Sequence, residues 1–131
     1  MKLSLVIPAY NEEETIQIFY KEMQSIISDM TNIDVEYLFV DDGSGDNTLE
    51  VLRDLNKNDS SVHYISFSRN FGKEAAIYAG LEKVTGDYVA IMDADLQDPP
   101  ALIPEMLRIV MEEGYDCVGT RRINRKGEPP I

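Results

Sequence analysis

At 131 residues the chain is long enough for one domain with a real core and short for two. Its 44% hydrophobic content excludes a disordered chain, and no window of 18 consecutive apolar residues encodes a membrane-crossing helix. The formal net charge of −12 argues against nonspecific nucleic-acid binding, and makes a phosphate-bearing ligand awkward unless cations gather locally.

The first apolar run, Leu3–Pro8, predicts a strand. It faintly resembles a signal peptide, but Pro8 and Glu12-Glu13-Glu14 follow too soon and no small-residue cleavage site is present, so the chain is read as cytoplasmic. Ile16, Phe19, Met23, Ile26, Ile27 and Met30 then recur at the three- and four-residue steps of one buried helix face. Asn11 with Glu14 three residues on predicts a capping box at its start.

Val35–Val40 predicts the second strand, running into Asp41-Asp42-Gly43-Ser44. An acid at such a strand end often bonds a ribose or base. Asp-Gly-Ser is also good turn chemistry, and Ser44 or Asp46 could cap the next helix, yet a turn does not require two acids. That second helix should start near Asp46 or Asn47 and bury Leu49, Leu52 and Leu55. Val62–Phe67 predicts the third strand; His63 within it is the chain's one histidine and makes no zinc site alone. Asn70-Phe71-Gly72-Lys73 follows, placing a glycine and a cation at a helix N-terminus, a region that attracts anions, although Lys73 could equally be solvated. The third helix is expected from Gly72 to Gly86, with Gly86 as its C′ glycine and Ala75, Ala76, Ala79 and Gly80 allowing close approach to a sheet.

The fourth run, Tyr88–Met92, is almost wholly apolar, as strands buried on both faces tend to be. It ends in Asp93-Ala94-Asp95-Leu96-Gln97. Two acids one residue apart, and a carboxamide two further on, can crowd oxygens around one hard cation. Mg²⁺ in particular takes few carboxylates plus water and substrate phosphates. Asp98-Pro99 has the bland reading of a helix start, with Asp98 as N-cap, and a fourth helix should run from Pro99 to about Glu113, closed by Gly114. Cys117-Val118 predicts a fifth strand; Cys117, the one cysteine, reads as a small core residue, and no internal disulfide can form. Gly119-Thr120-Arg121 follows. Arg121 could grip a phosphate bidentately or be ordinary surface charge, and Arg121, Arg122, Arg125 and Lys126 put four of the 12 basic residues in the last eleven positions.

Strand–helix alternation predicts an α/β, Rossmann-like fold: a mainly parallel sheet, helices on both faces, right-handed crossovers. Ligands in such folds sit outside the carboxyl ends of the strands, where the polar segments fall. Gly-x-Gly-x-x-Gly is missing after the first strand and no P-loop pattern occurs, which argues against a nicotinamide dehydrogenase and a P-loop triphosphatase.

Ser4–Glu13, Val40–Asp46 and Asp93–Pro100 together resemble family 2 glycosyltransferases of the GT-A fold. Within that family Ser68–Lys73 and Gly119–Arg121 look most like the polyprenyl-phosphate glycosyltransferases, such as dolichyl-phosphate mannose synthases and bactoprenol glucosyltransferases. The resemblance spans nearly the whole chain, read as a single domain over 1–131 that is short for the family: a donor-binding portion, where full-length relatives would continue through an acceptor half and often into membrane helices. It implies a nucleotide-sugar donor, with a UDP-sugar favoured. Pro8, Ala9, Tyr10 and Glu12 would line the nucleoside pocket, Asp42 would contact the base with Asp41 nearby, and Lys73 and Ala94 would belong to the donor site. Asp93 and Asp95 would bind Mg²⁺ or Mn²⁺ with the donor diphosphate, with Gln97 completing the metal surroundings, and Arg121 would meet the acceptor's lipid phosphate. The reaction implied is inverting transfer to that phosphate by a protein peripheral to the inner face of the membrane, with Asp93, Asp95 and Arg121 as the catalytic set.

Four rivals stand beside it. One is a noncatalytic sugar-nucleotide-binding module, forming a homodimer through an uncovered sheet edge. A second is a family 2 transferase acting on a sugar hydroxyl. A phosphoreceiver-like domain would place its acid pair after the first strand, and a nucleotidyltransferase would need a glycine- and lysine-rich first loop; neither feature is here.

Overall fold

The structure, a computed structural model, describes residues 1–97 and 99–114. Two compact units divide the chain, Met1–Ala101 and Leu102–Ile131. The first holds strands β1 (Lys2–Ala9), β2 (Asp34–Asp41), β3 (Val62–Ser66) and β4 (Tyr88–Ile91), with helices α1 (Ile16–Ser28), α2 (Thr48–Asn58) and α3 (Lys73–Leu81) between them. The sheet is parallel throughout, in the order β3-β2-β1-β4. The α/β alternation read from the sequence is what the chain adopts.

Side-chain alternation assigns the two faces. Leu5, Ile7, Tyr37 and Phe39 share one face and are fully buried. There Phe19 of α1 meets Phe39 edge-on, and Tyr20 packs against Tyr37, whose hydroxyl donates to Gln24 Oε1 at 2.9 Å. The opposite face carries Val6 and Val40, against which Gly80 brings α3 so close that a Cβ there would stand 2.6 Å from Val6 Cγ1. The helices thus cover both faces, as expected.

Several local expectations are corrected. The Asn11–Glu14 capping box does not form: α1 starts at Ile16 after a turn in which Glu12 O accepts the amides of Thr15 and Ile16. Asn11 is instead left-handed, at φ 53°, with its side chain bonded to Gly45. α3 ends at Leu81, not Gly86. Thr85 leaves the helix because its amide and hydroxyl bond to Glu36, and Gly86 lies against Ser4 and the Lys2 carbonyl, where a Cβ would approach to 2.6–2.9 Å. β4 is not buried on both faces: among the described residues it is an edge strand, and Val89 and Ile91 are 42% and 49% exposed.

In the second unit, α4 (Ile103–Glu113) follows a 3₁₀ turn, Pro100–Leu102, so the helix starts later than Pro99; Gly114 closes it at φ 75°. Arg108 joins Glu105, Glu112 and Glu113 along one exposed flank. Asp98, the expected fifth strand at Cys117-Val118, and Arg121 lie outside the described residues.

Candidate active site

Four consecutive strand ends open onto one cleft of about 190 Å³, lined by Pro8, Ala9, Tyr10, Glu12, Asp42, Lys73, Asp93, Ala94 and Asp95. Pockets that bury a drug-sized ligand hold roughly 300–1,000 Å³, so this cleft by itself is too small to enclose one. β1 delivers Pro8 and Ala9; the β1–α1 segment adds Tyr10, half exposed, and Glu12, whose Oε2 accepts the Thr15 hydroxyl at 2.6 Å. All nine are residues the sequence had singled out.

The electrostatic centre is Lys73, the first residue of α3. Its ammonium reaches Asp93 Oδ1 at 2.8 Å and Oδ2 at 2.9 Å. Asp93 is only partly buried, and Asp95 is exposed, so this pair of acids keeps the water access that an isolated buried carboxylate lacks. Asp95 Oδ1 accepts the Gln97 amide at 3.0 Å, which closes a short turn with Leu96 at φ 67°. Gln97 is exposed and does not line the cleft.

The two acids of the β2–α2 loop are not equivalent. Asp41 is 2% exposed, lies outside the cleft lining, and accepts the Ser44 amide at 3.1 Å. Asp42 lines the cleft, while its carboxylate accepts the amides of Phe71 (2.8 Å) and Gly72 (3.1 Å) and the Asn70 side-chain amide (3.2 Å).

A second set of bonds ties the β2–α2 loop to the β1–α1 segment. Asn11 N–H donates to Ser44 Oγ, Glu12 N–H to Thr48 Oγ1, and Gly45 N–H to Asn11 Oδ1, each at 2.8–2.9 Å. Asp46 accepts the Thr48 amide at 2.9 Å as well as the Thr48 hydroxyl. Burial alone would raise its pKa, but those bonds and the Glu13 amide carry it below the ordinary carboxylate value. Sequence reasoning missed Asn11, Ser44 and Thr48 as links between loops. No local signal marks them, because the partners stand 33–36 residues apart.

Asp93 and Asp95 are hard oxygen donors on one wall. Among the described residues no group of three or more His, Cys, Asp or Glu could cage a metal by itself. That donor set fits Mg²⁺ or Mn²⁺ held with a ligand's phosphate oxygens, since Mg²⁺ binds through one or two carboxylates plus substrate phosphates and water.

The profile of Glycosyl transferase family 2 matches residues 4–130. The chain is 44% identical over 125 residues to the bactoprenol glucosyl transferase of Shigella phage SfX, covering 95% of this chain and 40% of that protein. It is 40% identical over 126 residues to the undecaprenyl-phosphate 4-deoxy-4-formamido-L-arabinose transferase of Photorhabdus laumondii, covering 95% and 38%. Among solved structures it resembles glucosyl-3-phosphoglycerate synthase from Mycobacterium tuberculosis in complex with Mn²⁺, UDP and phosphoglyceric acid, with TM-score 0.65 and 25% identity, covering 85% of this chain and 39% of that one. The chain spans about two-fifths of the length of the curated relatives it matches. The parallel sheet with its helices is the Rossmann-like core of the GT-A fold. On its sequence and its fold, the chain belongs to glycosyl transferase family 2.

Proposed function

We propose that this chain is the donor-binding part, spanning 1–131, of a metal-dependent inverting glycosyltransferase that moves a sugar from a UDP-sugar to a polyprenyl phosphate. The observation that carries it is the convergence of Pro8, Tyr10, Glu12, Lys73, Asp93 and Asp95 on one cleft at the carboxyl ends of the strands. Two relatives named for bactoprenol and undecaprenyl-phosphate transfer support the lipid acceptor, and the related structure holding Mn²⁺ and UDP supports the donor and the metal.

Pro8, Ala9, Tyr10 and Glu12 form the nucleoside wall, with Asp41 holding the loop behind it. Asp93 and Asp95 would hold Mg²⁺ or Mn²⁺ through their carboxylates, with Ala94 between them and Gln97 in the turn that Asp95 closes. A bound divalent ion supplies charge neutralisation on the nucleoside-diphosphate leaving group. Lys73 adds a fixed positive charge on the same wall. A lipid phosphate has a second pKa of about 6, so it is already ionised near neutrality and needs no protein base before it attacks the anomeric carbon. Arg121 grips that phosphate, and the basic residues around it draw the protein toward an anionic membrane surface. No helix among the described residues is long and apolar enough to cross a membrane.

The test is calorimetric titration of UDP and GDP into the chain, with Mn²⁺, with EDTA, and with Asp95→Ala. Metal-dependent binding of UDP, stronger than that of GDP and lost in the variant, is the expected result. Binding that ignores EDTA and the substitution refutes the metal-linked donor site.

A further inference from the structure

Tyr10 and Glu12 line the cleft, and Asn11 between them does not. Asn11 is bonded instead to the neighbouring loop. Its N–H donates to Ser44 Oγ at 2.9 Å and its Oδ1 accepts Gly45 N–H at 2.8 Å, so one residue closes a two-point bridge across 33 and 34 positions of sequence. The far side of that bridge is firm. Ser44 N–H donates to Asp41 Oδ1 at 3.1 Å, and Asp41 is the buried last residue of β2.

The bridge requires an unusual backbone. Asn11 stands at φ 53°, in the left-handed region that strains most side chains and that Asn, short and polar, tolerates. A turn there sets the direction of the residues on either side. Glu12 has a second hold, since its N–H donates to Thr48 Oγ1 at 2.9 Å. The Tyr10 side chain has none: it is 49% exposed, and among the described residues no side-chain hydrogen bond or ring contact fixes it. Its place on the cleft wall therefore follows from the backbone at its two neighbours. One is Ala9, paired with Asp41 in the sheet, and the other is Asn11.

We infer that Asn11 is a positioning residue: by bridging to Ser44 and Gly45 it holds Tyr10 and Glu12 as the wall against the nucleoside of the donor. Its loss weakens the hold on the nucleoside and spares the hold on the diphosphate, which belongs to Lys73, Asp93 and Asp95. This rests on the donor-site reading above. The two parts of the ligand separate cleanly, because pyrophosphate has no nucleoside. Only the oxygen of the carboxamide enters the bridge, so an aspartate can replace Asn11 in it, whereas alanine and glycine offer no acceptor.

The experiment titrates the unmodified chain, Asn11→Ala, Asn11→Gly and Asn11→Asp with UDP and with pyrophosphate in Mn²⁺. Asn11→Ala is expected to weaken UDP about tenfold, the worth of roughly one hydrogen bond, and to leave pyrophosphate unchanged. Asn11→Gly keeps the turn but loses the oxygen, and should fall between. Asn11→Asp should bind UDP as the unmodified chain does. Equal weakening of both ligands in Asn11→Ala would overturn the inference, and so would UDP binding that no substitution changes; either result leaves the donor site standing. If the unmodified chain binds neither ligand, the proposed function fails, and backbone order then decides the positioning role separately. Order at Tyr10, read from amide nuclear relaxation, should drop in Asn11→Ala and return in Asn11→Asp; unchanged order overturns that role. Should Asn11→Ala not fold, Asn11→Gly carries both readouts.

Discussion

Glu36 is a charge in the middle of a parallel sheet, on β2 opposite Ser4 and 5% exposed, a position where a bare carboxylate would be costly. It is compensated on every side. Ser4 Oγ donates at 2.5 Å, Thr85 N–H at 2.8 Å and the Thr85 hydroxyl at 3.0 Å, and Lys2 Nζ lies 3.3 Å away. Burial pushes its pKa up, but these bonds outweigh burial and hold it at about 2, below the usual 4.5. A carboxylate whose pKa is lowered by folding stabilises fully above its unfolded pKa and loses that contribution as pH falls through the folded value. Glu36 should therefore stabilise the fold by a pH-independent amount above about pH 5, and lose roughly 2 kcal/mol of it between pH 7 and pH 3. Glu36→Gln should be less stable at pH 7 by about 1–3 kcal/mol, and its stability should fall less steeply with acid. Urea unfolding of both proteins at pH 7, 5 and 3 checks this; parallel slopes would show that Glu36 titrates as it does in the unfolded chain. The same comparison of magnitudes does not extend to Lys73–Asp93, where both groups reach water and the pair matters for where it holds the ammonium rather than for stability.

Among the elements, α3 is the one whose position on the sheet depends on single atoms. Gly80→Ala gains about 1 kcal/mol of helix propensity. It also drives a methyl to 2.6 Å from Val6 Cγ1, a stiff and fully buried side chain, and overpacking of that kind costs about 1–3 kcal/mol. The net expectation is a loss of up to about 2 kcal/mol, read as a lower denaturation midpoint at constant slope. Gly86→Ala should cost more, because two of the atoms it meets, Ser4 N and Lys2 O, are backbone and cannot rotate away. If Gly80→Ala proves the worse of the two, the α3 contact is the tighter one. These glycines also mark what local pattern cannot carry. Gly86 has the sequence look of a helix C′ glycine, yet it is required by close approach to β1, a contact across 82 residues. β1, β2 and β3 were legible because an apolar run between turn residues says strand whatever its neighbours are. β4 was legible as a strand for the same reason, but not its exposure, since Val89 and Ile91 are uncovered only by virtue of where β4 falls in the sheet. The cleft was legible because Pro8, Tyr10, Asp42, Lys73, Asp93 and Asp95 each end a strand or follow one closely. The link from Asp42 to Phe71 and Gly72 was not, because the partners stand 29 and 30 residues apart and no local pattern joins them.

At the scale of the whole molecule, net charge and site charge oppose each other. The chain carries −12, and UDP with its terminal phosphate keeps a net negative charge even with a divalent ion bound. Among the described residues that line the cleft Lys73 is the one cation, set against Glu12, Asp42, Asp93 and Asp95. Approach from solution samples the long-range field, which is repulsive here and screened over about 10 Å at 0.1 M salt. Residence in the site samples contacts of a few ångströms, which salt screens much less. Raising salt from about 10 to 150 mM, which shortens the Debye length from about 30 to about 8 Å, should therefore speed association of the Mg²⁺ complex of UDP while changing its dissociation little. Stopped-flow mixing across that range checks it. Lys73→Ala should leave the salt dependence of association in the same direction, because one exposed lysine cannot reverse the field of the whole chain, and on the proposed donor reading it should raise the dissociation rate, because the diphosphate loses a nearby cation. An association rate that falls as salt is added would mean that cations beyond the cleft wall set the field the donor meets, and that net charge misleads about this surface.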